Sequence, residues 1–221
     1  MPHALGTHHA ALRLAMPDRK YPAHGSRPFA GLRLLDLGSG AHPFPHVDRG
    51  WELLGAIRER VTSDLPDAPT PELAQMAGAQ RILADLGDDW PFDLHGPFDV
   101  VVACELLEHL ENPWGFLRRC AFAMDPAGAL IVSTPDITTT RSRQHFRREG
   151  YFPWFAPPHI ESEGHITPIF PHLLEEMAKR AGLRIVDECF NEPPRSWWDR
   201  ATPAERQDIL NVTRIYRLER A

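Results

Sequence analysis

The chain has 221 residues, with 24 Lys and Arg against 30 Asp and Glu, a formal net charge of -6. A chain of this length buries roughly 70% of its unfolded surface and needs no staples to hold a core, and its apolar runs fall far short of the ~18 residues that span a bilayer. The acidic balance argues against bulk nucleic-acid binding, and Cys104, Cys120 and Cys189, with no Cys-x-x-Cys spacing, make neither a disulfide framework nor a zinc finger and point to a reducing, cytoplasmic setting.

Residues 1–31 hold a single acid, Asp18, and four histidines. A short helix over about 9–16 is expected between loose flanks. Pro17, Pro22 and Pro28, with no apolar core followed by a cleavage site, make this stretch an N-terminal arm or lid in preference to a targeting signal. The pattern changes at Leu32, where one domain over 32–221 begins.

Leu32 to Leu37 reads as a buried strand stopped by Gly38. Trp51, Leu53, Leu54, Ile57 and Val61 fit one helical face, followed by strands at 60–64 and 81–85 with a short helix at 72–77 between them. Phe98 to Cys104 is continuously apolar after its first turn, as a central parallel strand is. Asn112-Pro113, a cap followed by proline at the first helical position, opens a helix over 114–124. A turn at 125–128 leads to a strand at 129–134. Residues 136–168 are rich in aromatics, histidine and proline and have no clean period, so they read as a long connection on the substrate side. A helix at 171–181, a strand at 183–190 and an alternating, antiparallel strand at 211–218 complete the chain. Alternation of strand and helix predicts a doubly wound, three-layer α/β/α sandwich around a Rossmann-like sheet of seven strands, the last antiparallel.

Ligands of such a sheet bind beyond the carboxyl ends of its strands. The first strand ends in Asp36-Leu37-Gly38-Ser39-Gly40, where glycines let the backbone approach a ligand closely. A dinucleotide fingerprint needs a third glycine three residues on, and Pro43 stands there.

Taken with the later strands, the chain resembles the class I S-adenosylmethionine-dependent methyltransferases from about Leu32 to Leu218. Leu34 to Gly40 is similar to the family's first motif, Phe98 to Pro113 to its fourth-strand motif and Asp125 to Pro135 to its fifth-strand turn; Gly164-His165-Ile166-Thr167-Pro168 with the following helix is similar to its small-molecule members. Two departures stand out: the first loop runs Ala41-His42-Pro43-Phe44-Pro45, and Gly128-Ala129 replaces the usual Gly-Gly. The resemblance implies S-adenosylmethionine as cofactor, S-adenosylhomocysteine as product, and methylation of a small-molecule or sugar- or lipid-linked acceptor, with oxygen favoured by the abundance of histidine. It also implies that Asp36, Gly38, Ser39 and Gly40 shape the pocket for the methionine end. Asp64 would take both ribose hydroxyls, with Asp48 the rival because Asp64 lies 28 residues after Asp36. Asp85 and Leu86 would take the adenine, and Cys104 and Glu105 would flank the methionine moiety.

A hydroxyl acceptor calls for a base near neutral pH, for which histidine suits. The candidates are His165 and His109 first, then His145 and His159. Arg141, Arg143, Arg147 and Arg148 form a basic run that would suit an anionic acceptor or simply face solvent. Tyr151, Phe152, Trp154 and Phe155 would form an acceptor wall or the core of a cap. No metal site is expected, since prolines between His42 and His46 prevent a helical pair. Two rival functions remain: a non-catalytic cofactor-binding partner subunit of the same fold, and a nicotinamide-dependent oxidoreductase, against which Pro43 argues. Many of the 22 prolines follow strand ends, where stiff loops lose less entropy when a ligand orders them.

Overall fold

The computed structural model describes residues 31–39, 59–65, 79–87, 89–92, 96–191 and 213–221. The expected helices at 9–16 and 72–77, Trp51, Leu53, Leu54 and Ile57 of the expected helical face, the arm, the proline-rich first loop and Trp197 and Trp198 lie outside them; Val61, also placed on that face, is instead buried in a strand, where a β-branched side chain packs well.

The described strands form one sheet: β1 (Arg33–Asp36), β2 (Glu59–Asp64), β3 (Ala79–Leu83), β4 (Phe98–Cys104), β5 (Met124–Pro135), β6 (Leu183–Phe190) and β7 (Thr213–Arg220), in the order β3-β2-β1-β4-β5-β7-β6. β1 to β5 pair in parallel, and β7 runs antiparallel to both β5 and β6. The predicted seven strands with the last reversed are therefore present. β4 keeps its predicted bounds because it is covered on both faces, which makes its apolar run continuous. β3 begins and ends two residues earlier than expected, so Ala84 and Asp85 belong to the loop beyond it.

β5 absorbs the turn expected at 125–128. Its pairing with β4 jumps from Phe98↔Met124 to Val100↔Ala129, so the extra residues bulge outward, with Pro126 and Ala127 exposed. Gly128 returns the chain to the sheet, and a Cβ there would stand 2.9 Å from the Phe98 carbonyl oxygen and 3.0 Å from those of Asp125 and Asp99. That close backbone approach explains why the first glycine of the turn is kept while the second position accepts Ala129.

Among the described residues, α1 (Pro113–Ala123) is capped by Asn112, whose Oδ1 accepts from the Gly115 N–H at 2.9 Å. The stretch 136–168 is more regular than its sequence suggests. It holds α2 (Thr140–Glu149), a 3-10 turn at Pro153–Phe155 and α3 (Pro157–Glu163). α2 buries Ser142 alone, so no apolar stripe betrays it; only its ends do, Thr139 accepting from the Ser142 N–H at 3.0 Å and Gly150 leaving at φ 84°. α4 (Pro171–Arg180) packs Leu174, Met177 and Ala178 against Phe116, Leu117 and Cys120 of α1 and the sheet face carrying Val101, Leu130 and Tyr216. No helix among the described residues is long and apolar enough to cross a membrane.

Candidate functional site

The site is built at the carboxyl ends of β1 to β5. Asp36 closes β1 and is buried, with the Arg60 guanidinium of β2 3.8 Å from its Oδ2. Beyond it the chain turns at Gly38, φ 67°, where a Cβ would meet the Leu106 side chain at 3.0 Å. Ser63 at the end of β2 anchors this loop, its hydroxyl accepting from the Gly38 N–H at 3.4 Å and its carbonyl from the Ser39 N–H at 2.9 Å. Gly40 and Asp48 lie outside the described residues. Asp64 ends β2 half-buried. Its Oδ1 accepts from the Leu65 N–H at 3.0 Å, and Arg81 of β3 stands 3.8 Å from its Oδ2. Asp85 is exposed and takes the Gly87 N–H at 2.9 Å, while Leu86 packs into the core.

Cys104 ends β4 and Glu105 follows it directly. Burial, reinforced by the charge of Asp36, pushes the Cys104 thiol well above its ordinary range. Glu105 adopts a left-handed conformation at φ 50°, uncommon for a residue with a side chain. Three side-chain hydrogen bonds from two residues stabilise it: Ser133 Oγ donates to Oε1 at 2.6 Å, Thr213 Oγ1 donates to Oε2 at 3.3 Å, and the Glu105 N–H reaches Ser133 Oγ at 3.0 Å. Burial raises the Glu105 carboxyl and the two hydroxyls oppose that rise. Strain held by so many contacts is characteristic of a functional position.

A 3-10 turn, Leu107–His109, comes next. The Glu108 carbonyl accepts from the N–H groups of Ile166 and Thr167, each at 2.9 Å, and the Thr167 hydroxyl donates to the Leu110 carbonyl at 2.6 Å. These bonds strap residues 164–167 across the turn and bring the His165 ring to 4.7 Å from that of His109, edge to face. The Trp154 carbonyl lies 3.0 Å from His165 Nδ1, so that nitrogen donates to it and Nε2 faces away. His109 is held below its ordinary range, first by burial and then by His165. Burial, then the charge of Glu105, pushes the Glu108 carboxyl well above the usual carboxylate range.

Of the four histidines considered, the structure brings together the two placed first. His145 sits 2.9 Å from the Tyr151 carbonyl and His159 pairs with Glu163 at 3.2 Å, both within the connection itself. Arg141, Arg143, Arg147 and Arg148 are exposed along α2. The aromatic run divides: Phe155 is buried 5.7 Å from His165, whereas Phe152 stacks on Phe146 at 4.8 Å. Sequence reasoning passed over Glu108, Ser133 and Thr213. Glu108 carried a signal, as the neighbour of His109 in the fourth-strand motif; the two hydroxyls carried none, because their role depends on pairing between distant strands.

Residues 8–188 match a family model described as a methyltransferase domain. The ubiquinone biosynthesis O-methyltransferase of Ruegeria pomeroyi is 34% identical over 185 residues, covering 77% of this chain and 68% of that protein. A protein of the same name from Caulobacter sp. is 33% identical over 118 residues, 50% of this chain and 44% of the relative. The chain spans about half the length of the first curated relatives it matches. The solved structure of magnesium protoporphyrin IX methyltransferase from Synechocystis PCC 6803 with bound S-adenosylhomocysteine superposes with a TM-score of 0.57 at 15% identity, over 98% of this chain and 84% of that one, a likeness of fold.

Proposed function

This chain belongs to the class I S-adenosylmethionine-dependent methyltransferase family, and on that premise we propose that it transfers a methyl group to a hydroxyl oxygen of a small-molecule or sugar- or lipid-linked acceptor. The observation that carries the oxygen reading is the meeting of His109 and His165 at 4.7 Å beside the end of β4, next to the segment assigned to the cofactor's methionine end. The names of the Ruegeria and Caulobacter relatives agree with an oxygen acceptor.

In this reading Asp36, Gly38, Ser39 and Gly40 shape the methionine pocket, Asp64 accepts from the ribose hydroxyls, Asp85 and Leu86 serve the adenine, and Cys104 and Glu105 flank the methionine moiety. A single carboxylate accepts two vicinal hydroxyls well because it offers two oxygens. The sulfonium carbon is already activated, so the protein's task is to hold the acceptor oxygen in line and about 3 to 3.5 Å away. The C–S bond breaks with its electron pair staying on sulfur, the O–C bond forms, and the hydroxyl proton must leave. That proton passes to a ring nitrogen of His165, or of His109 beside it, and from there to water.

Transfer of labelled methyl from S-adenosylmethionine should be measured across a panel of phenols, catechols, sugar alcohols and amines, with the product linkage read by mass spectrometry. O-methylated products that disappear in His165→Gln are expected. Labelling confined to amines would sink the oxygen reading. Cofactor binding without turnover on any acceptor would favour a partner subunit of the same fold.

A further inference from the structure

The outer face of α1 holds a hollow that shares no residue with the cofactor and acceptor positions proposed above. Trp90, Asn112, Gly115, Arg118, Arg119 and Phe122 line a space of about 650 Å³, inside the range of about 300 to 1,000 Å³ common for small-ligand sites. Helical spacing makes this face. Asn112, Gly115, Arg119 and Phe122 recur at three, four and three residues, while Phe116, Leu117 and Cys120 between them turn to the core. From Gly115 to Phe122 the face runs about 10 Å. Trp90 supplies the opposite wall, its ring edge against Phe116 at 5.9 Å.

Every polar side chain on this wall offers donors. The guanidinium groups of Arg118 and Arg119 have no ion pair and no hydrogen bond among the described residues. Asn112 has its Oδ1 committed to the Gly115 N–H at 2.9 Å, which leaves its NH₂ group to offer. Gly115 permits that fit, since a Cβ there would stand 2.7 Å from Asn112 Nδ2. The Trp90 indole N–H, a donor only, is shielded from water and meets no acceptor. A donor left in that state is costly. No described carboxylate lines the hollow. Its apolar end is the Phe122 ring, 72% exposed and with no other ring against it among the described residues.

We propose that this hollow binds a phosphorylated small molecule that carries a flat ring, of the mononucleotide kind. A set of donors without acceptors calls for a ligand rich in acceptor oxygens. Two guanidinium groups on consecutive residues match the roughly two negative charges of a phosphate monoester, and each planar fork fits a pair of phosphate oxygens. An inorganic ion would leave Phe122 and most of the volume unused, whereas a flat ring stacks on a phenyl face. A second copy of this chain is a poor occupant, because an isologous contact through this face would set arginine against arginine.

The test uses the full chain saturated with S-adenosylhomocysteine, and ring-bearing probes that lack adenine, so that the cofactor pocket does not compete. UMP, GMP and phenyl phosphate are titrated by calorimetry beside uridine and inorganic phosphate. Saturable binding of about one equivalent is expected for at least one of the three ring-bearing phosphates, about tenfold or more tighter than for uridine or inorganic phosphate. Arg118→Gln and Arg119→Gln should each weaken that binding about tenfold or more, and Phe122→Ala about fivefold or more. Arg184→Gln, which alters an exposed arginine of β6, should bind as the native chain does. Should Arg119→Gln fail to fold, Arg118→Gln and Phe122→Ala decide, because both side chains are exposed. The proposal is overturned if none of the three binds, if inorganic phosphate binds as tightly as they do, or if Arg118→Gln and Phe122→Ala retain native affinity. Binding of a glutamate-rich peptide in place of the three phosphates also overturns it, and makes the face a docking surface for an acidic protein.

Discussion

Ser133 of β5 holds Glu105 twice: its hydroxyl donates to Glu105 Oε1 at 2.6 Å and accepts from the Glu105 N–H at 3.0 Å. The pairing joins the end of β4 to the neighbouring strand and keeps Glu105 in its left-handed conformation. Ser133→Ala removes the side-chain half of that support while the Ser133 carbonyl still receives the Glu105 N–H at 3.2 Å. Loss of a hydrogen bond to an ionisable group costs about 1.5 to 3 kcal/mol, and part of it should appear as roughly tenfold weaker binding of S-adenosylhomocysteine in calorimetry. Unchanged affinity would take Glu105 out of the cofactor pocket.

Asp64 and Asp85 are both proposed cofactor ligands, and their settings differ. Asp64 is half-buried with Arg81 at 3.8 Å, whereas Asp85 is exposed. A hydrogen bond is worth more where water competes less. Asp64→Asn should therefore weaken S-adenosylhomocysteine by about tenfold or more and Asp85→Asn by only a few fold. The reverse order would point to a different acid for the ribose.

Gly128 makes a separate prediction about the fold. Three backbone carbonyl oxygens stand within 3.0 Å of where its Cβ would be, and none of them is a side chain that could swing away. Overpacking of that kind costs about 1 to 3 kcal/mol. Gly128→Ala should lower the urea midpoint accordingly, while Ala129→Gly, next door, should cost only about 0.5 to 1 kcal/mol.

What could be read beforehand follows from how each segment is buried. Phe98 to Cys104 announces itself because both faces of β4 are covered. α2 does not, because it leaves almost every side chain in water and a helix without an apolar face has no period to detect. The site divides similarly. His109 and His165 were found through motifs at opposite ends of a 56-residue interval, but their contact depends on the strap over Glu108, which no local pattern encodes.

Burial also decides the chemistry of the cysteines. The thiols of Cys104 and Cys120 are both pushed up by desolvation, so at any working pH they hold less thiolate than an ordinary cysteine. Because the shift is upward, raising the pH to 9 should not expose them to alkylation in the folded protein. Iodoacetamide followed by peptide mass spectrometry should modify neither until urea unfolds the chain. Rapid modification of folded Cys104 would mean that the end of β4 is open to reagent.

Thr167 offers a way to loosen the strap without touching either histidine. Its hydroxyl donates to the Leu110 carbonyl at 2.6 Å, while its own N–H still reaches the Glu108 carbonyl at 2.9 Å. Thr167→Val keeps the shape and the backbone bond and removes only the hydroxyl contact, a loss of about 1 kcal/mol. The cofactor segments on β1 and β2 are untouched, so S-adenosylhomocysteine should bind as before. His165 would sit less firmly over His109, and displacements of about 1 Å at a reacting centre cost up to 10²-fold in rate. The expected result is therefore a fall of roughly tenfold in kcat/KM for the acceptor at constant cofactor affinity. If kcat/KM is unchanged in a variant that melts a few degrees lower, the strap serves stability alone and the pairing of the two rings is incidental to methyl transfer.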